Sequence, residues 1–175
     1  MKSNIYLTGF SGTGKTTTGR KLCQILGMKF VDLDCVIEKY CGKGIPKIFS
    51  EDGEEYFRLI ETECLSEVSS KNNQIVSTGG GLPVRIENRK IMVSTGMVVC
   101  LEADADTILE RMVSQEKTEG DKAQRPMLAS EFPLLKIKEL LELRSNVYAE
   151  SEIMINTENK SPQVVADEIV EVLEI

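Results

Sequence analysis

A glycine-rich segment near the beginning of the chain has the residue types and the spacing that bind phosphate. Residues 9–16 read GFSGTGKT, which matches the pattern G-x-x-x-x-G-K-[ST] and follows an apolar run typical of a strand. Backbone N–H groups of such a loop point at phosphate oxygens, its lysine reaches the terminal phosphates of a nucleotide, and the next hydroxyl binds Mg²⁺. The alternative is a glycine-rich turn that binds nothing. The nucleotide-binding residues predicted by the pattern are Gly12, Thr13, Gly14, Lys15, Thr16 and Thr17.

Two aspartates after the second apolar run have the chemistry that phosphoryl transfer needs. Asp32 and Asp34 follow a strand-like segment, and in open α/β sheets the carboxyl ends of the strands line the ligand crevice. Asp32 can join Thr16 in supporting Mg²⁺, while Asp34 can orient an acceptor hydroxyl and take its proton. The alternative is that Asp34 only caps a helix that begins near Cys35.

The absence of histidine from all 175 residues narrows the possible chemistry. Ser-His-Asp and Cys-His hydrolases both need an imidazole base, so they are excluded. Any general base in this chain is therefore expected to be a carboxylate, which agrees with the assignment of Asp34.

Alternating apolar and amphipathic segments indicate the elements that must position these residues. Helical patterns fall between strand-like runs, which is the order expected of a parallel sheet covered on both faces. We therefore expect an α/β fold, specifically a three-layer α/β/α sandwich. The five predicted strands are Asn4–Thr8, Lys29–Asp32, Gln74–Ser77, residues 97–101 and residues 152–156.

The first and last helices have the clearest boundaries. The first is predicted at Lys15–Leu26, with Gly27 as its C-terminal cap. The last follows Ser161, which can cap it, and Pro162, which suits its first turn. The buried stripe predicted for this last helix is Val165, Ile169, Val172 and Leu173.

Composition and charge restrict the partners and the location. A net charge of −7 gives no support for binding nucleic acid, and no apolar run approaches the roughly 20 residues needed to span a membrane. The N-terminal residues do not resemble a secretory signal, and the five scattered cysteines are typical of free thiols in a reducing compartment. We expect one domain over residues 1–175, cytoplasmic and monomeric, with no nucleic-acid or membrane partner.

A polar stretch of weak periodicity, residues 114–130, lies between two helical patterns and contains Gly120. A connector of this length favours a mobile lid, because long segments of this kind often close over active sites. The alternative is a surface insertion without a role.

Two arginines and three consecutive glycines are further candidates. Arg144 lies on the apolar face of a helix near residues 134–149 without an acidic neighbour one turn away, so a substrate carboxylate is a good partner. Snorkelling or pairing with a distant acid are its alternatives. Arg58 can form ordinary ion pairs with Glu54 and Glu61. Residues 79–81, all glycine, permit positive φ and close approach of a ligand, or they serve only in a turn.

Short motifs along the whole chain, taken in order, resemble those of shikimate kinases. The motifs that carry the resemblance are residues 9–16, Asp32-Leu33-Asp34, Ile37-Glu38, Ile48-Phe49, Gly53-Glu54, Phe57-Arg58, Glu61, residues 79–81, residues 125–128, and Arg144 with Tyr148. The resemblance implies transfer of the γ-phosphate of ATP to the 3-hydroxyl of shikimate, with Mg²⁺ as cofactor. It also implies a five-stranded parallel sheet in the order 2-3-1-4-5.

The same resemblance implies roles for individual residues. Catalysis would depend on Lys15, Asp34 and Arg125, with Arg125 closing over the γ-phosphate as the lid shuts. Arg111 and the loop at residues 156–162 would be walls of the adenine pocket, and a helical region at about residues 33–61 would bind the acceptor. The acceptor contacts would be Asp34, Arg58, Gly80, Gly81 and Arg144, with Glu61 holding Arg58 in position.

Three other functions are alternatives to a shikimate kinase. Gluconate kinases have a similar phosphate loop and also bind a carboxylate, but they usually carry a histidine after the second strand. A nucleoside monophosphate kinase would need several cations for an acceptor phosphate, and the acceptor side offers chiefly Arg58 and Arg144. A non-catalytic nucleotide-binding regulator would be expected to lack Asp34 or Arg125.

Overall fold

Five short parallel strands form the centre of the molecule. The computed structural model describes residues 3–119 and 130–174, with only the backbone of residue 119. The sheet order is β2-β3-β1-β4-β5, and every neighbouring pair is parallel, so the predicted architecture and strand order are confirmed. The strands are β1 Asn4–Thr8, β2 Lys29–Asp32, β3 Gln74–Ser77, β4 Gly96–Glu102 and β5 Ile153–Asn156.

Helices connect the strands and cover both faces of the sheet. Helix α1 starts directly after the glycine-rich loop and ends at Gly27, whose φ of 66° is in the left-handed region that a glycine cap tolerates. The side chain of Ser161 accepts a hydrogen bond from the Val164 N–H and caps the last helix, as predicted. The helices are α1 Lys15–Leu26, α2 Leu33–Cys41, α3 Ile45–Glu51, α4 Glu54–Ser69, α5 Ile86–Thr95, α6 Ala105–Glu119, α7 Pro133–Ala149 and α8 Pro162–Leu173, with a 3₁₀ turn at Leu82–Val84.

The alternation of side chains along β1 divides the core between the two faces of the sheet. Ile5 and Leu7 pack in one apolar cluster with residues of α1 and α8. Tyr6 points to the opposite face and packs with residues of α2, α4 and α5. Because successive strand residues face opposite sides, a fully buried strand must be apolar on both, and this gives the three layers.

Two sequence expectations about helices differ from the structure. Val172 is 49% exposed, so its place in the buried stripe of α8 was wrong. The buried and half-buried positions of that helix are 165, 166, 169, 170 and 173, which leaves Val172 at the edge of the stripe. Helix α6 extends to Glu119, so the polar stretch that begins at Ser114 starts inside a helix. Residues 114–119 of the polar stretch are therefore helical, and residues 120–129 lie outside the described residues.

Among the helices that the structure describes, none combines the length and the apolar character needed to cross a bilayer.

Candidate active site

The glycine-rich loop joins β1 to α1 at the carboxyl edge of the sheet. Gly9, Gly12 and Gly14 have φ values of 119°, 86° and 93°, which only glycine adopts readily. At Gly12, an added Cβ would lie 3.1 Å from a Met112 side-chain carbon. The loop therefore needs glycine both for its backbone conformation and for the space it has.

Lys15 begins α1 and folds back over this loop. Its Nζ donates hydrogen bonds to the backbone carbonyls of Gly9, at 2.9 Å, and Phe10, at 2.8 Å, and the residue is 8% exposed. The ammonium group is thus held within the segment that the sequence pattern identifies as a phosphate-binding loop.

Oxygen ligands suited to a divalent cation converge beside Lys15. The Thr16 hydroxyl donates to Asp32 Oδ2 at 3.1 Å and lies 3.3 Å from the Ser77 hydroxyl. Asp32 and Ser77 are register partners at the ends of β2 and β3, so the sheet itself places them side by side. The sequence analysis paired Thr16 with Asp32 but missed Ser77. The feature that could have identified Ser77 is its position at the carboxyl end of a buried strand.

Asp32, and not Asp34, caps helix α2. The helix begins at Leu33, and Asp32 Oδ1 accepts hydrogen bonds from the backbone N–H groups of Asp34 and Cys35 at 3.1 and 3.4 Å. The alternative that Asp34 is a helix cap is therefore wrong. An aspartate at the N-cap uses one oxygen for the helix, which leaves its second oxygen to face Thr16.

The carboxyl group of Asp34 lies in the same cavity as Lys15. This cavity has a volume of about 140 Å³ and is lined by Lys15, Thr16, Asp32, Asp34 and Gly80, among others. Burial raises the pKa of Asp34 to about 6, the negative charge of Asp32 adds to the effect, and the charge of Lys15 opposes it. Asp34 is consequently able to take up a proton near neutral pH.

An ion pair on α4 lies next to the three glycines. Arg58 Nη1 donates to Glu61 Oε2 at 2.7 Å and Arg58 Nη2 to Glu54 Oε1 at 3.4 Å, so both expected pairings form. Glu61 is only 1% exposed. Burial raises the pKa of Glu61, and the guanidinium of Arg58 opposes this. The pair with Glu61 is therefore a buried interaction that fixes Arg58, unlike an ordinary surface ion pair.

The three glycines are explained by close contacts, and none of them uses the positive φ that glycine permits. None of residues 79–81 has a positive φ. A Cβ at Gly79 would lie 3.1 Å from a carboxylate oxygen of both Asp34 and Glu61, and one at Gly80 would lie 3.2 Å from the N atom of Ser11 in the phosphate loop. A Cβ at Gly81 would lie 2.6 Å from Arg58 Nη2. A side chain at any of these positions would force neighbouring groups of the site to shift, because they are packed against the backbone.

Helix α7 brings a second arginine to the same place. The guanidinium carbon of Arg144 lies 5.5 Å from the centre of the Phe10 ring, a distance that allows a cation–π contact. Its charge acts on Glu61 together with those of Arg58 and Arg85, so the charges of three arginines oppose the rise in the pKa of this buried carboxyl group. Across residues 3–119 and 130–174, no carboxylate forms an ion pair with Arg144.

A larger cavity of about 250 Å³ opens on the other side of the phosphate loop. Gly12, Thr17, Arg111 and Pro162 are among its lining residues, together with Thr157. Arg111 donates to the Thr157 hydroxyl at 2.9 Å and to the Thr157 carbonyl at 2.7 Å, which holds it against the wall of the cavity. Arg125, the remaining predicted site residue, lies outside the part of the chain that the structure describes.

Comparison with known proteins decides the family. The shikimate kinase family model matches residues 11–174. The shikimate kinase of Thermodesulfovibrio yellowstonii is 41% identical over 167 residues, which cover 95% of this chain and 92% of that protein. The chain belongs to the shikimate kinase family. The shikimate kinase of Persephonella marina is 43% identical over 166 residues, covering 95% of this chain and 96% of that protein.

The fold agrees with this family. The structure of this chain is similar to the solved structure of shikimate kinase from Acinetobacter baumannii in complex with shikimate. The TM-score is 0.89 and the sequence identity is 37%. The alignment covers 98% of this chain and 93% of the other. The resemblance inferred from the sequence motifs is confirmed over nearly the whole length.

Proposed function

We propose that this chain is an ATP-dependent kinase that transfers the γ-phosphate of ATP to the 3-hydroxyl of shikimate, giving shikimate 3-phosphate and ADP in the route to aromatic amino acids. The observation that carries the proposal is the position of Asp34. This carboxyl group, with a pKa of about 6, shares one cavity with the lysine of the phosphate loop and with Gly79 and Gly80, and the next residue, Gly81, packs against Arg58. A proton acceptor, a phosphate-binding cation and an anion-binding arginine are thus available at a single place.

On the nucleotide side, backbone N–H groups of the loop and the start of α1 receive the phosphates, and Thr13, Gly14 and Thr17 lie around them. Lys15 exchanges its two carbonyl partners for phosphate oxygens when the nucleotide binds. The adenine occupies the 250 Å³ cavity against Arg111.

Thr16 and Asp32 hold Mg²⁺ in this proposal. The support is a hydroxyl and a carboxylate oxygen 3.1 Å apart at the end of the phosphate loop, a set of hard oxygen donors that Mg²⁺ prefers. When bound, the ion neutralises charge on the phosphates. Asp32 keeps its hydrogen bonds to α2 through its other oxygen, so the helix stays in place.

On the acceptor side, Asp34 orients the hydroxyl and takes its proton as the phosphoryl group arrives. Arg58 and Arg144 bind the shikimate carboxylate, because both carry a planar guanidinium suited to that group and both act on the same buried Glu61. Gly80 and Gly81 contribute backbone contacts, and Glu61 holds Arg58.

The remaining parts of the proposal concern the protein as a whole. Residues 1–175 form one kinase domain with an acceptor-binding region at about residues 33–61, where α2, α3 and the first half of α4 lie. Residues 114–130 act as a lid that brings Arg125 to the γ-phosphate and excludes water. The protein works as a monomer in the cytoplasm.

A coupled assay of ADP release tests this function. Shikimate, gluconate and AMP are offered separately with ATP and Mg²⁺, and ATP alone gives the background. We expect only shikimate to raise ADP release, and chelation of the metal to abolish it. Release with gluconate or AMP would assign another small-molecule kinase, and no release above background with any acceptor would contradict a kinase function.

A further inference from the structure

The hydroxyl of Tyr148 connects helix α7 to the glycine segment. Tyr148 lies in the last turns of α7 and is buried, and its hydroxyl donates a hydrogen bond of 2.7 Å to the carbonyl of Gly80. The two residues are 68 positions apart in the chain. Burial raises the pKa of Tyr148 to about 12, so the hydroxyl keeps its proton and remains a donor at physiological pH.

This hydrogen bond fixes the orientation of one peptide group within the three consecutive glycines. The peptide between Gly80 and Gly81 is planar and trans, so holding its carbonyl toward Tyr148 directs the Gly81 N–H to the opposite side. Glycine has more backbone freedom than any other residue, and three in succession have little intrinsic order. Within the described residues, the N–H groups of Gly80 and Gly81 have no acceptor and are therefore available to a ligand.

Tyr148 also lies one helical turn after Arg144, where side chains at i and i+4 meet. The hydroxyl oxygen retains lone pairs when its hydrogen is given to Gly80, so it can accept a hydrogen bond from the guanidinium. The Arg144 charge acts on Tyr148 to lower its pKa, against the larger effect of burial. Phe10 supports the guanidinium from the side of the phosphate loop.

We propose that Tyr148 is a positioning residue for the acceptor: its hydroxyl fixes both the Gly80–Gly81 peptide and the Arg144 guanidinium in the arrangement that binds the substrate carboxylate and ring. The proposal rests on the proposed function for the identity of the acceptor. Tyr148 itself does not need to touch the substrate. Its effect is to order two groups that do, before the substrate arrives.

A second buried tyrosine provides a matched control. Tyr6 is fully buried, and its hydroxyl lies 2.8 Å from the Ser69 hydroxyl and 2.7 Å from that of Thr95. Ser69 and Thr95 end helices α4 and α5, away from the carboxyl edge of the sheet where the site lies. Replacement of either tyrosine by phenylalanine removes one buried hydroxyl and keeps the ring. The two variants therefore differ only in where the hydroxyl is lost.

Steady-state kinetics of Tyr148→Phe and Tyr6→Phe test the functional part. For Tyr148→Phe we expect the KM for shikimate to rise about 5- to 20-fold, the effect of losing one hydrogen bond that organises a binding site, with kcat within about threefold and the KM for ATP unchanged. For Tyr6→Phe we expect all three constants to stay near wild type while the melting temperature falls. Equal KM values for shikimate in the two variants would overturn the proposal, because Tyr148 would then serve packing alone.

NMR of the backbone amides in the ligand-free protein separates this proposal from the proposed function. Tyr148→Phe should change the chemical shifts of the amides of residues 80 and 81 and lower their order parameters, whereas Tyr6→Phe should not. Unchanged amides in Tyr148→Phe would also overturn the proposal. If wild-type protein does not phosphorylate shikimate, the proposed function fails, and the amide comparison still decides whether Tyr148 orders the glycine segment.

Discussion

The proposed nucleotide half and the proposed acceptor half of the site are built in different ways. The nucleotide half is one continuous loop, whose backbone conformation at Gly9, Gly12 and Gly14 makes the binding surface. The acceptor half is assembled from residues on α2, α4 and α7, which meet around three glycines. A continuous loop depends on local geometry, whereas the acceptor half depends on long-range packing. Substitutions in the two halves should therefore have different effects on turnover and on ligand binding.

The largest effect is expected in the nucleotide half. Lys15→Met should abolish turnover, with kcat reduced by more than about 10⁴-fold, because the ammonium supplies positive charge where the phosphoryl group is transferred. The fold should survive, since Lys15 supplies charge rather than packing, and it donates hydrogen bonds to the Gly9 and Phe10 carbonyls of the loop. Turnover within tenfold of wild type, in protein with a normal melting temperature, would show that the loop alone provides the electrostatic stabilisation.

Asp34→Asn tests the point where the two halves meet. We expect kcat to fall by about 10²- to 10⁴-fold, the usual effect of removing a positioned proton acceptor, with little change in ATP affinity. Because Asp32 provides the helix cap, the substitution should not disturb α2. An active variant would mean that the acceptor hydroxyl loses its proton to another group.

In the acceptor half, Arg144→Lys keeps the charge and removes the planar fork. Shikimate binding should weaken by about 1.5–3 kcal/mol, the typical value of a hydrogen bond to a charged group, and ATP binding should be spared. Calorimetry of each ligand separately measures both values. Equal losses for shikimate and ATP would contradict the division of the site into two halves.

The smallest effect concerns the stability of the metal-free protein. Burial raises the pKa of Asp34 from an ordinary value of 3.8 to about 6, so the folded state binds more protons than the unfolded chain between about pH 4 and 6. The ionised carboxylate therefore destabilises the fold above pH 6, and most of this effect is lost by pH 4, where the folded carboxyl group is protonated and that of the unfolded chain is close to its own pKa.

Asp34→Asn should accordingly raise the free energy of unfolding by about 1–3 kcal/mol at pH 8, with little change at pH 4. Urea denaturation at both pH values, with a chelator present, measures this difference. A variant that is less stable than wild type at pH 8 would indicate that the carboxylate is stabilised by its surroundings. Ionised Asp34 would then contribute to the stability of the fold as well as to catalysis.

The contrast between the two halves also explains which features could be predicted from the sequence. Strands β1, β2 and β3 and helix α1 have the predicted bounds, because apolar periodicity and glycine signals are local. The phosphate loop could be recognised for the same reason. The hydrogen bond from Tyr148 to Gly80 could not, because no local pattern links positions 68 residues apart.

Two local possibilities that the sequence leaves open are not used in the structure. An aspartate before a helix commonly caps it, and consecutive glycines permit positive φ, so a cap at Asp34 and a positive φ at residues 79–81 were both possible. In the structure, Asp32 takes the cap, and the glycines leave room for Asp34, Glu61 and Arg58. Tertiary contacts decided both positions, and a single sequence does not contain that information.

The packing at residues 79–81 has a consequence for how this enzyme family can acquire new acceptors. A methyl group at any of these three positions meets a different part of the site: two carboxylates at Gly79, the phosphate loop at Gly80 and the Arg58 guanidinium at Gly81. If these three positions are randomised and active variants are selected, we expect mostly glycine at each of them, whichever hydroxy acid is used for the selection. A library for directed evolution toward another hydroxy acid is therefore better placed on α2, α4 and α7, where side chains are already present and can be varied in size.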